Sequence, residues 1–154
     1  MKTPPTYTLH IVGNQENPRG NPIGYKRVLN HSMRADGVRY MAWQQFVRGI
    51  FSEVTGRHSV AATAGRGMKF LPPIVIAKHQ YARMELQIGW KDETHGDQDN
   101  IFKGIADSLF ANDKELEGSF SATHGGRGFV HVEIWILDRE ESSPAKKSKN
   151  KSPP

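Results

Sequence analysis

The chain contains no cysteine. Disulfide bridges and thiolate metal sites are thereby excluded, and the absence fits a reducing cytoplasm. No apolar run approaches the roughly 18 residues that a membrane-spanning helix needs. The opening Met-Lys-Thr-Pro-Pro has no hydrophobic segment behind it, so neither a membrane span nor a signal peptide is expected. A Walker-type loop ending in Gly-Lys-Ser/Thr is missing, and Ala64-Gly65-Arg66-Gly67 is too weak a signature to imply nucleotide binding. Asp97-x-Asp99 does not open an EF-hand, because the sixth position, a required glycine, would be Phe102. The seven histidines include no helical i,i+4 pair, so no zinc site is expected.

What the chain has in excess is positive charge, a net +5 over 154 residues. That length suits one domain with a substantial core. The segment from Asp138 carries five basic and three acidic residues, so +2 of the charge resides there and +3 in the rest. Its Ser, Lys, Pro and Asn residues lack hydrophobic periodicity. Residues 1–137 are therefore expected to fold, and 138–154 to form a basic disordered tail. A basic balance favours a polyanionic partner without choosing one.

Tyr7 to Val12 alternates and predicts a first strand. Gly13 to Gly24, rich in Gly, Asn and Pro, predicts a loop. Lys26, Arg27, Arg34 and Arg39 follow, with Tyr25 and His31 among them. They form either a solvated loop or a basic arm that contacts phosphates. Val38 to Val54 predicts a helix, with Trp43, Phe46, Val47, Ile50, Phe51 and Val54 at helical spacing, Asp36 as cap and Gly56 as stop. The small residues around 61–69, with Arg66 and Lys69, suit a mobile loop along a DNA backbone, or equally a plain linker. Ile74 to Ile76 is a candidate short strand.

Arg83 to Trp90 alternates cleanly and predicts a half-buried strand. Leu116 to Thr123 and Phe129 to Leu137 predict two more strands, joined across His124–Gly128 as a hairpin. Phe129, His131, Trp135 and Leu137 make the second face of the last strand unusually apolar, which suits a dimer surface. The expected fold is α+β: a small mixed or antiparallel sheet of about four strands with two main helices on one face, in the order β-α-β-α-β-β.

The stretch Gly96 to Asp113 organises the rest. Its periodicity predicts a helix from about Gln98 or Asp99, with Ile101, Phe102, Ile105, Ala106, Leu109 and Phe110 forming a buried stripe. Asp99, Asn100, Lys103 and Asp107 fall together on the opposite face, with Asp97 just before the first turn and Asp113 beyond the last. Two readings stand side by side. Asp97 is a good N-cap, Asp99 suits the helix dipole, Lys103 and Asp107 are an i,i+4 pair, and Asn112-Asp113 makes a turn. Alternatively, carboxylates at i and i+2 on a helix start share a divalent ion, since Mg²⁺ takes oxygen ligands and keeps several waters. A third carboxylate would then complete a site for phosphodiester hydrolysis, with a lysine nearby. His95, two residues before Asp97, is either a supporting donor to that site or an exposed loop histidine. Asp92 and Glu93 are expected to be solvated.

The pattern D-x-D-N-x-x-K (Asp97, Asp99, Asn100, Lys103), then Asp107-Ser108-Leu109, then Asn112-Asp113-Lys114-Glu115-Leu116, resembles the RusA family of Holliday junction resolvases. Outside these residues the likeness is one of layout, over roughly 6–137. It implies a small α+β, homodimeric, Mg²⁺-dependent endonuclease, with Mn²⁺ able to substitute, that nicks four-way DNA junctions symmetrically. The catalytic and metal-binding aspartates would be Asp97, Asp99 and Asp113, with Lys103 assisting. Lys26, Arg27, Arg34, Arg39, Arg66 and Lys69 are the candidate DNA contacts. The family often has Asp-Asp where this chain has Asn112-Asp113. Along a helix, eleven steps from Asp99 to Phe110 advance the chain about 16 Å, which sets Asp113 far from Asp97 unless the chain folds back or a two-fold partner supplies the acid. A non-catalytic binder of structured DNA, and a nuclease preferring flaps or other branched DNA, are the alternatives.

Overall fold

The structure, a computed structural model, describes residues 3–26, 35–57, 60–64 and 67–139; for residues 36, 60–64 and 67–71 it describes the backbone alone. Along the chain run β1 (Tyr7–Val12), α1 (Ala35–Thr55), β2 (Val60–Ala64), β3 (Gly67–Leu71), β4 (Gln80–Trp90), α2 (Gln98–Leu109), β5 (Leu116–His124) and β6 (Phe129–Asp138). Four strands form a mixed sheet in the order β1-β6-β4-β5, and β2 and β3 pair separately. This is the α+β class that the sequence implies. Among the described residues no helix is long and apolar enough to cross a membrane.

The core lies between the helices and one face of the sheet. Leu9 and Ile11 of β1, Met84, Leu86, Ile88 and Trp90 of β4, and Val130, Val132 and Ile134 of β6 alternate along their strands and are buried. Tyr40, Trp43, Val47 and Phe51 of α1 and Ile101, Ile105 and Leu109 of α2 close over them. Each such side chain contributes about 1.5–3 kcal/mol by leaving water. Phe46 and Ile50 only flank this core, and Val54, expected within the stripe, is 58% exposed. Asp36 lies inside α1, which begins at Ala35, and so is not its cap.

β5 and β6 are not a hairpin. β5 pairs parallel with β4, from Ala82↔Leu116 to Trp90↔His124, while β6 pairs antiparallel with β4 and with β1. Burial explains the order. β4 and β6 carry the apolar rows and take the centre, whereas nearly all of β5 is exposed and suits an edge. The segment between β5 and β6 crosses the end of β4, a distance of two strand spacings, about 10 Å.

Other expectations shift as well. The stretch around 61–69 is the β2–β3 hairpin, in register from Val60↔Leu71 to Ala64↔Gly67, rather than a linker. Ile74 to Ile76 is no strand; Ile74 makes one bridge to Phe110, and the Asn112 amide both accepts from Ile76 N–H and donates to Ile76 C=O. On the second face of β6, Phe129, His131 and Leu137 are half-buried and Trp135 is covered within the chain. Trp135 is 4% exposed, donates to the Thr3 carbonyl and lies under the Arg83 guanidinium. β6 extends to Asp138, and Arg139 pairs with Glu115, so the folded part reaches past residue 137. Of the expected tail, 140–154 lie outside the described residues.

Gly128 fixes the crossing loop. A Cβ there would stand 1.8 Å from the Gly20 carbonyl oxygen, backbone that cannot swing aside, whereas a Cβ at Gly125 would meet nothing within 4 Å. Gly128→Ala is therefore expected to lower stability by about 1–3 kcal/mol, and Gly125→Ala to leave it unchanged. Paired thermal melts of the two variants check this.

Candidate metal and nucleic-acid site

The site begins with the loop after β1. Gly13 adopts φ +65°, a backbone conformation open to glycine, and turns the chain. The buried Asn14 then closes the loop: its Oδ1 accepts from the Glu16 and Asn17 amides at 2.8 and 2.9 Å, and its Nδ2 donates to the Asn21 carbonyl at 2.7 Å. Asn21 passes the order on. Its amide nitrogen donates to Asp92 Oδ1 and the Thr94 carbonyl, and its oxygen accepts from the Lys91 N–H. Tyr25 N–H donates to the Asn100 carbonyl at 2.9 Å, laying the strap over the first turn of α2. Between loop and helix lies a cleft of about 520 Å³ whose walls include Lys26, Lys91, His95, Gly96 and Asn100.

Of the expected DNA contacts, Lys26 lines this cleft. Arg39 lines it too but pairs with Glu16 at 2.7 Å, both half exposed, a surface pair worth at most about 1 kcal/mol. Arg27, His31, Arg34 and Arg66 lie outside the described residues; Lys69 lies in β3, its side chain outside them.

The acids divide into two kinds. Asp97 occupies the N-cap position of α2 with extended backbone, yet its side chain makes no capping hydrogen bond. Asp99 stands exposed in the first turn. Neither carboxylate is held by a hydrogen bond or ion pair among the described residues. Asp107 is engaged. Its Oδ2 accepts from Tyr40 Oη and from Gln44 Nε2, both at 2.8 Å, clasping α2 to α1. Lys103 therefore does not share Asp107 as an i,i+4 pair; its ammonium lies 5.3 Å from the centre of the Tyr25 ring. Burial first, then the Asp107 hydrogen bond and charge, hold the Tyr40 hydroxyl protonated far above the ordinary tyrosine range. Arg48 donates from Nε to the Ser108 carbonyl, bringing positive charge to the last turn of α2. Burial lowers its pKa, against the attraction of Asp107.

Asp113 is exposed and at the other end of the unit. It precedes Leu116, which pairs with Ala82, while Asp97 follows Trp90, which pairs with His124. Eight register steps separate those ends, about 26 Å of strand. One chain does not bring Asp97, Asp99 and Asp113 together.

What the fold does bring together was not expected from the sequence. Glu93 and His95 on the loop after β4, and His124 at the end of β5, place one ligand atom each within 4.8 Å of the others, the sole such group among the described residues. His95 Nε2 lies 3.0 Å from His124 Nε2, which lies 4.0 Å from a Glu93 oxygen. His95 stacks on Trp90, ring centres 4.0 Å apart and planes 8° from parallel, and its Nδ1 donates to the Gly96 carbonyl. The signal was faint: Glu-x-His at a strand end, with its third member 29 residues on.

Comparison with protein-family models finds no match, and comparison with curated proteins finds none.

Asn21→Ala is expected to lower stability by about 1–3 kcal/mol and to speed hydrogen exchange at the Lys91 amide, which loses its acceptor. A second expectation concerns alkaline pH. Because the Tyr40 pKa is raised in the fold, its contribution is complete below about pH 10 and is lost as pH rises beyond it. Denaturant melts of wild type and Tyr40→Phe across pH 8–11.5 should show a shallower alkaline decline in the variant.

Proposed function

We propose that the chain is a Mg²⁺-dependent endonuclease of the RusA kind, acting as a homodimer on branched DNA, in the cytoplasm of a bacterial cell or phage-infected host. The observation that carries this reading is the state of the acids. Asp97 and Asp99 lie exposed and unengaged at a strand-to-helix junction, while Asp107, about two turns further along α2, is engaged in packing. Helix capping does not account for Asp97, which stands at the cap position without making a cap bond.

The donor set fits a hard cation: two carboxylates, all oxygen, open to water. Asp97 and Asp99 would hold Mg²⁺ or Mn²⁺, which when bound supplies an activated water and neutralises charge on the phosphoryl oxygens. Lys103, one turn after Asp99, adds positive charge beside the scissile phosphate. Lys26 and Lys91 on the cleft wall draw in the DNA backbone and carry no sequence information. The third carboxylate, Asp113, reaches the site only from a two-fold partner, which sets the opposite end of its own α2 against Asp97. Two such sites in one dimer match the two-fold symmetry of a four-way junction.

The test uses labelled four-way junction, flap and linear duplex, each with Mg²⁺ or EDTA. Paired nicks in the junction are expected with Mg²⁺ alone, and Asp99→Asn is expected to cut at least a hundredfold more slowly while binding unchanged. Binding without cutting in Mg²⁺ would identify a non-catalytic structured-DNA binder, and faster cutting of the flap a different nuclease. Mixing Asp97→Asn with Asp113→Asn subunits should restore part of the activity; failure there removes the shared site.

A further inference from the structure

We propose that Glu93, His95 and His124 bind one borderline divalent transition ion, of the class of Zn²⁺, Co²⁺ and Ni²⁺, at a site separate from the carboxylates assigned to Mg²⁺. Imidazole nitrogen suits such ions, whereas Mg²⁺ and Ca²⁺ take oxygen. A tetrahedral ion with bonds of about 2.0–2.1 Å sets neighbouring ligand atoms about 3.3 Å apart. The two Nε2 atoms are 3.0 Å apart, and the Glu93 oxygen lies 4.0 Å from His124. The Glu93 side chain is 90% exposed, so it can close that gap by rotating.

Tautomer and orientation support the same assignment. A carbonyl oxygen only accepts, so in the neutral ring the bond from His95 Nδ1 to Gly96 puts the proton on Nδ1 and leaves Nε2 a bare lone pair. Metal-ligating histidines are held this way, the far nitrogen donating to a carbonyl or carboxylate. Stacking on the buried Trp90 fixes the ring plane. Without an ion, the His124 Nε2–H donates to that lone pair. With one, the His124 proton resides on Nδ1 and both Nε2 atoms point at the ion. His124 is held in place by the parallel register that sets it beside Trp90. Three protein ligands leave a fourth position open.

The site is tested by binding alone, on the full chain free of any histidine tag. Co²⁺ titration is expected to give visible ligand-field absorption saturating at one equivalent, displaced by Zn²⁺ and insensitive to excess Mg²⁺. Zn²⁺ should raise the melting temperature by several degrees, since an ion that binds only the folded state stabilises it. His95→Ala and His124→Ala should each weaken Co²⁺ binding at least tenfold, and Glu93→Gln less. His124→Gln, which keeps a polar side chain at the strand end, should weaken it as His124→Ala does. Asp99→Asn should leave binding unchanged. No ligand-field absorption, or wild-type affinity in both histidine variants, overturns the proposal. So does loss of binding that follows Asp99→Asn, which would give the ion to the carboxylates.

Discussion

Parallel pairing of β4 with β5 is the constraint on which the rest depends. Two parallel strands need a connection that travels back along their whole length, and α2 is that connection. Its stripe of Ile101, Ile105 and Leu109 packs on the sheet and fixes the rotation of the helix about its axis. Once that rotation is set, Asp99 and Lys103 must face away from the core, and Asp107 must face α1. The same geometry separates the ends of the unit. Asp97, Glu93, His95 and His124 gather where β4 finishes, and Asp113 lies where β5 begins.

Much of this was legible in the residues. The start of α2 at Gln98 followed from its apolar spacing, and the alternation of Met84, Leu86, Ile88 and Trp90 gave β4 its buried face. The order of strands was not legible. A Gly-rich connection such as 125–128 has the same composition whether it joins neighbours or steps over a strand, and only the exposure of β5 decides. The β2–β3 hairpin was missed because Ala61, Ala62 and Ala64 are small and give no alternation to read. The loop over 13–24 is legible from its Gly, Asn and Pro, but not that Asn14 and Asn21 hold it by supplying backbone partners.

The candidate sites show the same division. Asp97 and Asp99 were visible because helix position and acidity are both local properties. Which acids remain unengaged was not visible: that depended on Tyr40 and Gln44, 67 and 63 residues away, taking Asp107. Asn112 is a similar case. Its amide donates to the Ile76 carbonyl as well as accepting from its N–H. An ionised carboxylate has no proton to donate, so the packing of the 74–76 segment favours asparagine and leaves Asp113 the single acid of that pair. His95 and His124 met only through register, since nothing in either neighbourhood pointed to the other.

Two donor sets of different chemistry adjoin one strand end, and on the proposed reading the imidazole set protects the selectivity of the carboxylates. Carboxylates at the open start of α2 offer oxygen alone, which suits magnesium but also accepts the tighter-binding borderline ions. An imidazole pair with one lone pair already directed by the Gly96 carbonyl is the better ligand for those ions. It would draw them off Asp97 and Asp99 without competing for magnesium. The bound ion would in turn pin the 91–96 loop to β5, alongside the tether that Asn21 makes on its other side. A loop held from both sides sets the entry angle of α2, and so the direction in which Asp97 and Asp99 face solvent.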